Sequence, residues 1–309
     1  MTAIHETAYP RSKPHFTHKE LKELFWPAED EMILLNQSTK KTLDTTRLGF
    51  MILLKCYQYL GRSINLKKVD DIIKKTIAEK LSIKDNVDFD GYDQSTRKRH
   101  IKIIRKFLNL NANKKERRSI IKKAALEAAT TKENLADIIN VMLDELIKSR
   151  FELPAFRNLL RLARAARTVV NNGNYQRIVN GLSDEQKKLI DSICGITLES
   201  ENSENNENQP DQLSWAMLKL EPKKPTWQNI KDFVLYVNRL LELRQTMNVS
   251  LDFMTPARLE HLRDEAMIAD MNDMQEMRPM KRYALAVIFI SIKAGMAVDD
   301  LIQIFILLC

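Results

Sequence analysis

The chain has 309 residues, 44% of them apolar, with only 7 Gly and 9 Pro. Tight turns consume both of those residue types, so their scarcity excludes strand-and-turn architectures and predicts an all-α, multi-helical fold of two to three helical units in series. Lys and Arg number 49 against 41 Asp and Glu, and the net charge of +8 suits a polyanionic partner.

Helix signals recur along the whole chain. Asp44 and Thr45 are candidate caps for the segment 47–60, which Gly61 closes as a C-cap. That segment is apolar nearly all round, as expected of the buried helix of a first unit. Val69, Ile73, Ile77 and Leu81 then fall four apart, a one-faced apolar stripe. Asp93 and Ser95 precede a helix in which Ile101, Ile104 and Leu108 share one face and Lys98, Lys102 and Arg105 another. Thr130 and Glu133 have capping-box spacing ahead of Leu135, Ile138, Ile139, Met142 and Leu146. Pro154 suits the first turn of a helix running to Val170, with Gly173 soon after. Ser183 and Gln186 form another box, for a helix that stops near Gly195.

Residues 199–211 are rich in Asn and Glu, lack periodicity, and read as a flexible acidic linker. A long helix starts at Thr226, with Trp227, Ile230, Val234, Val237 and Leu241 on one face. Thr255 and Pro256 open the next, through Leu259, Leu262 and Ala266. Two more stretches, roughly 278–293 and 297–309, end the sequence, the last without a polar tail, as though it ran on into further structure. The division expected is an N-terminal helical DNA-binding unit (1–125), a second helical unit with an arginine row (126–198), the linker (199–211) and a truncated third unit (212–309).

Two clusters carry the chemistry. Between Arg97 and Lys123 lie twelve cations, namely Arg97, Lys98, Arg99, Lys102, Arg105, Lys106, Lys114, Lys115, Arg117, Arg118, Lys122 and Lys123, against the single carboxylate Glu116. Each phosphate such a block neutralises releases counterions, so it is the pattern of a DNA-binding surface. Arg157, Arg161, Arg164 and Arg167 recur at spacings of four, three and three, which keeps them on one side of a helix. Arginine rather than lysine favours bidentate contacts to phosphate or guanine. A solvated helix face, or pairing with acidic helices such as 183–191, is the bland alternative for either cluster.

Other chemistry is missing. His5, His15, His18, His100 and His261 lack metal-ligand spacing, and Cys56, Cys194 and Cys309 form neither a disulfide framework nor a Cys-x-x-Cys pair. Nucleophile-elbow, phosphate-loop and dinucleotide motifs do not occur. The methionines at 267, 271, 274, 277 and 280 read as core filler. The first ten residues lack the positive-then-apolar pattern of a signal peptide, and the apolar stretches are interrupted by Lys293, Asp299 and Asp300 before reaching the roughly 20 residues that span a bilayer.

Five segments in order resemble the large transposases of the Tn-three family, the TnpA type. They are the Arg47–Phe50 run with its apolar helix and the Gly61-Arg62 pair; the stretch 96–110, similar to a Thr-Arg-Arg-x-His segment; 151–167, similar to a Leu-Pro-x-Phe element with trailing arginines; 213–234, similar to a Leu-Lys-x-x-Pro stretch; and 281–308, similar to an Arg-Tyr-Ala helix with an Asp-Asp segment. The acidic 199–211 insert departs from the family. The resemblance implies a non-catalytic N-terminal region that binds double-stranded DNA at the terminal inverted repeats of a transposon. The partners implied are transposon ends, with intact transposase or a second copy of the chain, and neither membrane nor small-molecule substrate. It implies no enzyme activity and no cofactor in this chain, since the divalent metals belong to an Asp-Asp-Glu domain beyond it, and a cytoplasmic, nucleoid-associated location. The DNA-binding residues expected are Arg97, Lys98, Arg99, Lys102, Arg105, Lys106, Lys114, Lys115, Arg117, Arg118, Arg157, Arg161, Arg164 and Arg167. The competing class is a helical protein-interaction scaffold, which would scatter its cations, or a decayed relic without specific DNA binding.

Overall fold

The computed structural model describes residues 4–39, 43–84, 89, 92–196, 213–224 and 226–308. Among these residues there are thirteen α-helices and no strand, so the fold is all-α. The chain divides into two compact units, one of Met1–Ala129 with Asn134–Ala166, the other of Thr130–Glu133 with Arg167–Cys309. The linker expected at 199–211 lies outside the described residues.

The first unit contains α1 (His18–Phe25), α2 (Glu29–Thr39), α3 (Asp44–Leu60), α4 (Asp71–Leu81), α5 (Gln94–Phe107), α6 (Lys114–Thr131), α7 (Leu135–Lys148) and the start of α8 (Phe156–Asn180). Its centre is α3, buried without a break from Leu48 to Tyr57. Only a helix covered on every side hides so long a run, and α1, α2, α4 and α5 all pack against it. Gly61 ends it in the left-handed region (φ 66°), its N–H donating to the Tyr57 carbonyl at 2.8 Å. The cap at the other end is Leu43, with no side-chain bond; Asp44 lies inside the first turn, where its charge faces the positive end of the helix. Within the core, the Lys55 ammonium lies 3.2 Å from Glu31, both side chains buried.

α5 is capped by Asp93, which accepts from the Ser95 and Thr96 amides. Its inner face buries Ile101, Ile104 and His100. The His100 Nδ1 sits 2.6 Å from the Tyr92 hydroxyl, and its ring meets Phe50 edge-on. The capping box expected from Thr130 and Glu133 does not form. α6 runs on through Thr131, so Thr130 is helical, and Asn134 caps α7 instead by accepting from the Ala136 amide.

In the second unit, α9 (Asp184–Ile193), α10 (Trp227–Met247), α11 (Pro256–Ile268), α12 (Met271–Glu276) and α13 (Pro279–Leu308) follow the rest of α8. Ala284 to Ile290 of α13 are fully buried among α9, α10 and α11. The Ser183–Gln186 box caps α9 and Thr255 caps α11, each at its expected place. Met274 is buried and Met267, Met271, Met277 and Met280 pack on the same core. Trp215 donates its indole N–H to the Ala269 carbonyl at 2.9 Å.

Three expectations shift. α8 runs through Gly173 to Asn180, because Tyr175 and Ile178 beyond the glycine are buried and repay the modest cost of Gly inside a helix. α13 is one 30-residue helix rather than two stretches; nothing crowds Gly295, and Ala294 and Ala297 beside it are buried. The buried face of α10 is Ile230, Phe233, Tyr236, Val237, Leu240 and Leu243, while Trp227 is 83% exposed. No described helix is long and apolar enough to cross a membrane.

The two units also divide elsewhere than at residues 125 and 198. The segment 150–155 is stitched into the first unit, with Leu153 N–H donating to the Gly61 carbonyl and Asn111 N–H to that of Arg150, both at 2.8 Å. α9 belongs instead to the second, where Asp191 accepts from Arg282 at 2.9 Å and from the Tyr283 hydroxyl at 2.7 Å.

Candidate nucleic-acid interface

The stitched segment brings residues distant in sequence to one surface of the first unit. Asn111 and Phe151 form an isolated parallel bridge, and Asn109 and Arg150 both take left-handed conformations to turn the chain there. The result is a cavity of about 330 Å³ whose charged lining is Arg62, Arg105, Lys114, Arg117 and one carboxylate, Glu152.

Glu152 is fully engaged. It pairs with Arg105, and its Oε1 accepts from the Tyr57 hydroxyl at 3.0 Å and the Ser63 amide at 3.3 Å. Burial, with the nearby carboxylate adding to it, pushes the Tyr57 phenol up to about 12, which keeps it a donor. Burial lowers the Arg105 guanidinium more than any other single influence, but the Glu152 and Tyr57 charges and the hydrogen bonds to both together outweigh it, and the pKa is raised. Arg117 Nη1 donates to the Glu152 backbone carbonyl at 3.3 Å. Glu152 therefore holds two of the four cations in place, Arg105 through its carboxylate and Arg117 through its backbone carbonyl, and neutralises at most one.

A second cavity of about 360 Å³ adjoins it, sharing Arg117, Pro154 and Asn158. It lies between α6 and the start of α8, and its charged lining is Arg117, Arg118, Lys122 and Arg161, with no carboxylate. The basic block and the arginine row, separate in sequence, thus meet in one groove. Each cation here lies on a helix with an apolar underside. Ile121 and Ala125 of α6 and Leu159 and Ala163 of α8 are buried, which turns Arg118, Lys122 and Arg161 outward.

The other expected residues lie outside these two cavities. Lys98, Arg99, Lys102 and Lys106 are exposed on α5, and Lys115 on α6. Arg157 and Arg164 are exposed on α8. Arg97 is half-buried and donates to the Ile64 carbonyl at 3.1 Å, which ties it to the loop after α3. Arg167 belongs to the second unit and donates to the Glu133 carbonyl at 3.3 Å, so it braces the fold. Arg62 and Glu152 line the first cavity although they fall outside both cationic clusters of the sequence. The signal available was local: a cation immediately after a C-cap glycine, and a lone acid beside the Leu-Pro turn.

Among the described residues no group of three or more His, Cys, Asp or Glu is placed to hold a metal. The family model described as a domain of unknown function (DUF4158) matches residues 1–166, just over half of the chain. The match ends at Ala166, where the first compact unit also ends. No curated protein matches the chain.

Proposed function

The chain belongs to the DUF4158 family, and with that as premise we propose that its first unit is a double-stranded DNA-binding module that holds the terminal inverted repeats of a transposon, as part of a transposase of the Tn-three type. The observation that carries this reading is the pair of adjoining cavities in which seven cations face one carboxylate. A concave surface with that balance matches a polyphosphate backbone. Arg118, Lys122 and Arg161 serve as phosphate anchors in the groove. The exposed cations of α5 extend the contact, with arginines close enough to a base edge reading guanine. We assign binding to these residues and no cleavage step.

A salt titration tests the reading, using a short duplex that carries the terminal repeat against a scrambled duplex. Tighter binding to the repeat that survives physiological salt supports it. Replacing Arg161 with Ala should lower the slope of log K against log salt by about 0.9, the share of one phosphate contact. Equal, weak binding to both duplexes, with a slope unmoved by Arg161→Ala, would sink it.

A further inference from the structure

The two cavities differ in what they can hold. The groove of Arg118, Lys122 and Arg161 runs between two helices and has no carboxylate, whereas the cavity beside it is backed by Phe151 and Leu153 and holds one carboxylate. Its volume of about 330 Å³ lies at the lower end of the range for small-ligand pockets, about 300–1,000 Å³. Four cations line it, and its one carboxylate is taken up by Arg105, Tyr57 and Ser63. The amides at the start of α6 are occupied as well, since the Asn113 side chain accepts from Lys115 and Glu116. The attraction therefore comes from the side-chain cations.

Arg62 is the informative member. Its guanidinium stacks over the Tyr9 ring, 5.6 Å from the centroid, and its Nε is shut off from water without a hydrogen-bond partner. With the Nε shut in, the remaining guanidinium N–H groups are the ones that can meet an acceptor in the cavity, and the Tyr9 ring limits how far they swing. A surplus of about three positive charges in a small concave site matches a compact dianion with several acceptor oxygens better than a singly charged diester.

We propose that this cavity seats one terminal phosphoryl group, a phosphomonoester or phosphate dianion, gripped by Arg62, Lys114 and Arg117 while Glu152 holds Arg105 in place. The inference deepens the DNA-binding reading, because the 5′-phosphate at a strand end is one source of such a group; a free phosphoanion is the other.

The test starts without DNA, so that its failure is separate from that of the DNA reading. The full chain is titrated with inorganic phosphate at constant ionic strength and followed by the phosphorus NMR linewidth. Saturable binding is expected, weakened about tenfold or more in Arg62→Ala and in Lys114→Ala, and unchanged in Lys19→Ala, an exposed cation of α1 outside both cavities. Lys114 is exposed, so its variant folds whether or not Arg62→Ala does. Absence of saturable broadening, or wild-type binding in Lys114→Ala together with a folded Arg62→Ala or Arg62→Lys, overturns the proposal. In a second arm, duplexes with 5′-phosphate and 5′-hydroxyl ends are compared. A preference for the phosphorylated end that Lys114→Ala removes identifies the strand end as the source. Equal affinity, with inorganic phosphate still bound, identifies a free phosphoanion.

Discussion

Buried charge and surface charge are handled differently in this chain. In the second unit Arg258, 2% exposed, pairs with Glu133 and Arg282 pairs with Asp191, as Lys55 pairs with Glu31 inside the first. At the surface of the first unit, by contrast, cations gather around a concavity where Glu152 is the single acid. Paired burial fixes a fold and leaves nothing over for a ligand, whereas crowding cations around too few acids keeps attraction in reserve. Position relative to a partner, more than the number of charges, separates bracing from binding.

The largest effect expected comes from breaking a buried pair in the second unit. Asp191→Ala strands Arg282 and removes the acceptor of Tyr283, and should cost about 3–5 kcal/mol in denaturant unfolding. DNA affinity measured below the transition should not change. A parallel loss of affinity would mean that the two roles are not separate.

His100 gives the next largest. Burial, and then the Arg99 charge, lower its pKa to about 4 from an ordinary 6.5. Between those values the unfolded chain holds a proton that the folded chain does not. Stability is therefore full above 6.5, falls as the pH drops towards 4, and levels off below, a loss of roughly 3 kcal/mol from this group. His100→Gln, which keeps a side chain able to bond Tyr92, should flatten that part of the stability curve; an unchanged curve would assign the acid sensitivity to other groups.

Glu152→Gln sharpens the comparison because its two effects have opposite sign. Loss of the Arg105 pair should lower the stability of the first unit by about 1–3 kcal/mol. The same change adds one net positive charge to the cavity and should tighten DNA binding at low salt. Weaker binding by a folded Glu152→Gln chain would show that Glu152 matters for placing the cations more than for diluting them. The smallest effect is a charge-free control: Gly173→Ala, on an open face of α8, should stabilise by about 0.5–1 kcal/mol and leave DNA binding alone.

Much of the fold could be read from local chemistry. Asp93, Ser183, Thr226 and Thr255 cap helices because a short polar side chain ahead of an apolar run needs no tertiary help to do so. What could not be read depends on partners far along the chain. Gly173 and Gly295 resemble stops until the buried residues beyond them are known. On α10, Trp227 and Leu241 carry the right spacing for a core face, yet that face is set by where α13 packs. The same holds for the site. The basic block and the arginine row are both visible as runs, but their meeting at Arg117 and Arg161 is not. Arg62 and Glu152 join them only through contacts with Tyr9 and Arg105.

The stitch between Gly61 and Leu153 also sets an order in time. Contacts that close so long a loop come late in folding, because the entropy of bringing the ends together is met before any reward. During synthesis the first helices can collapse around α3 while the Leu153–Pro154 corner is still inside the ribosome. The cationic surface is then incomplete, and the groove between α6 and α8 is assembled only once that corner has emerged and docked.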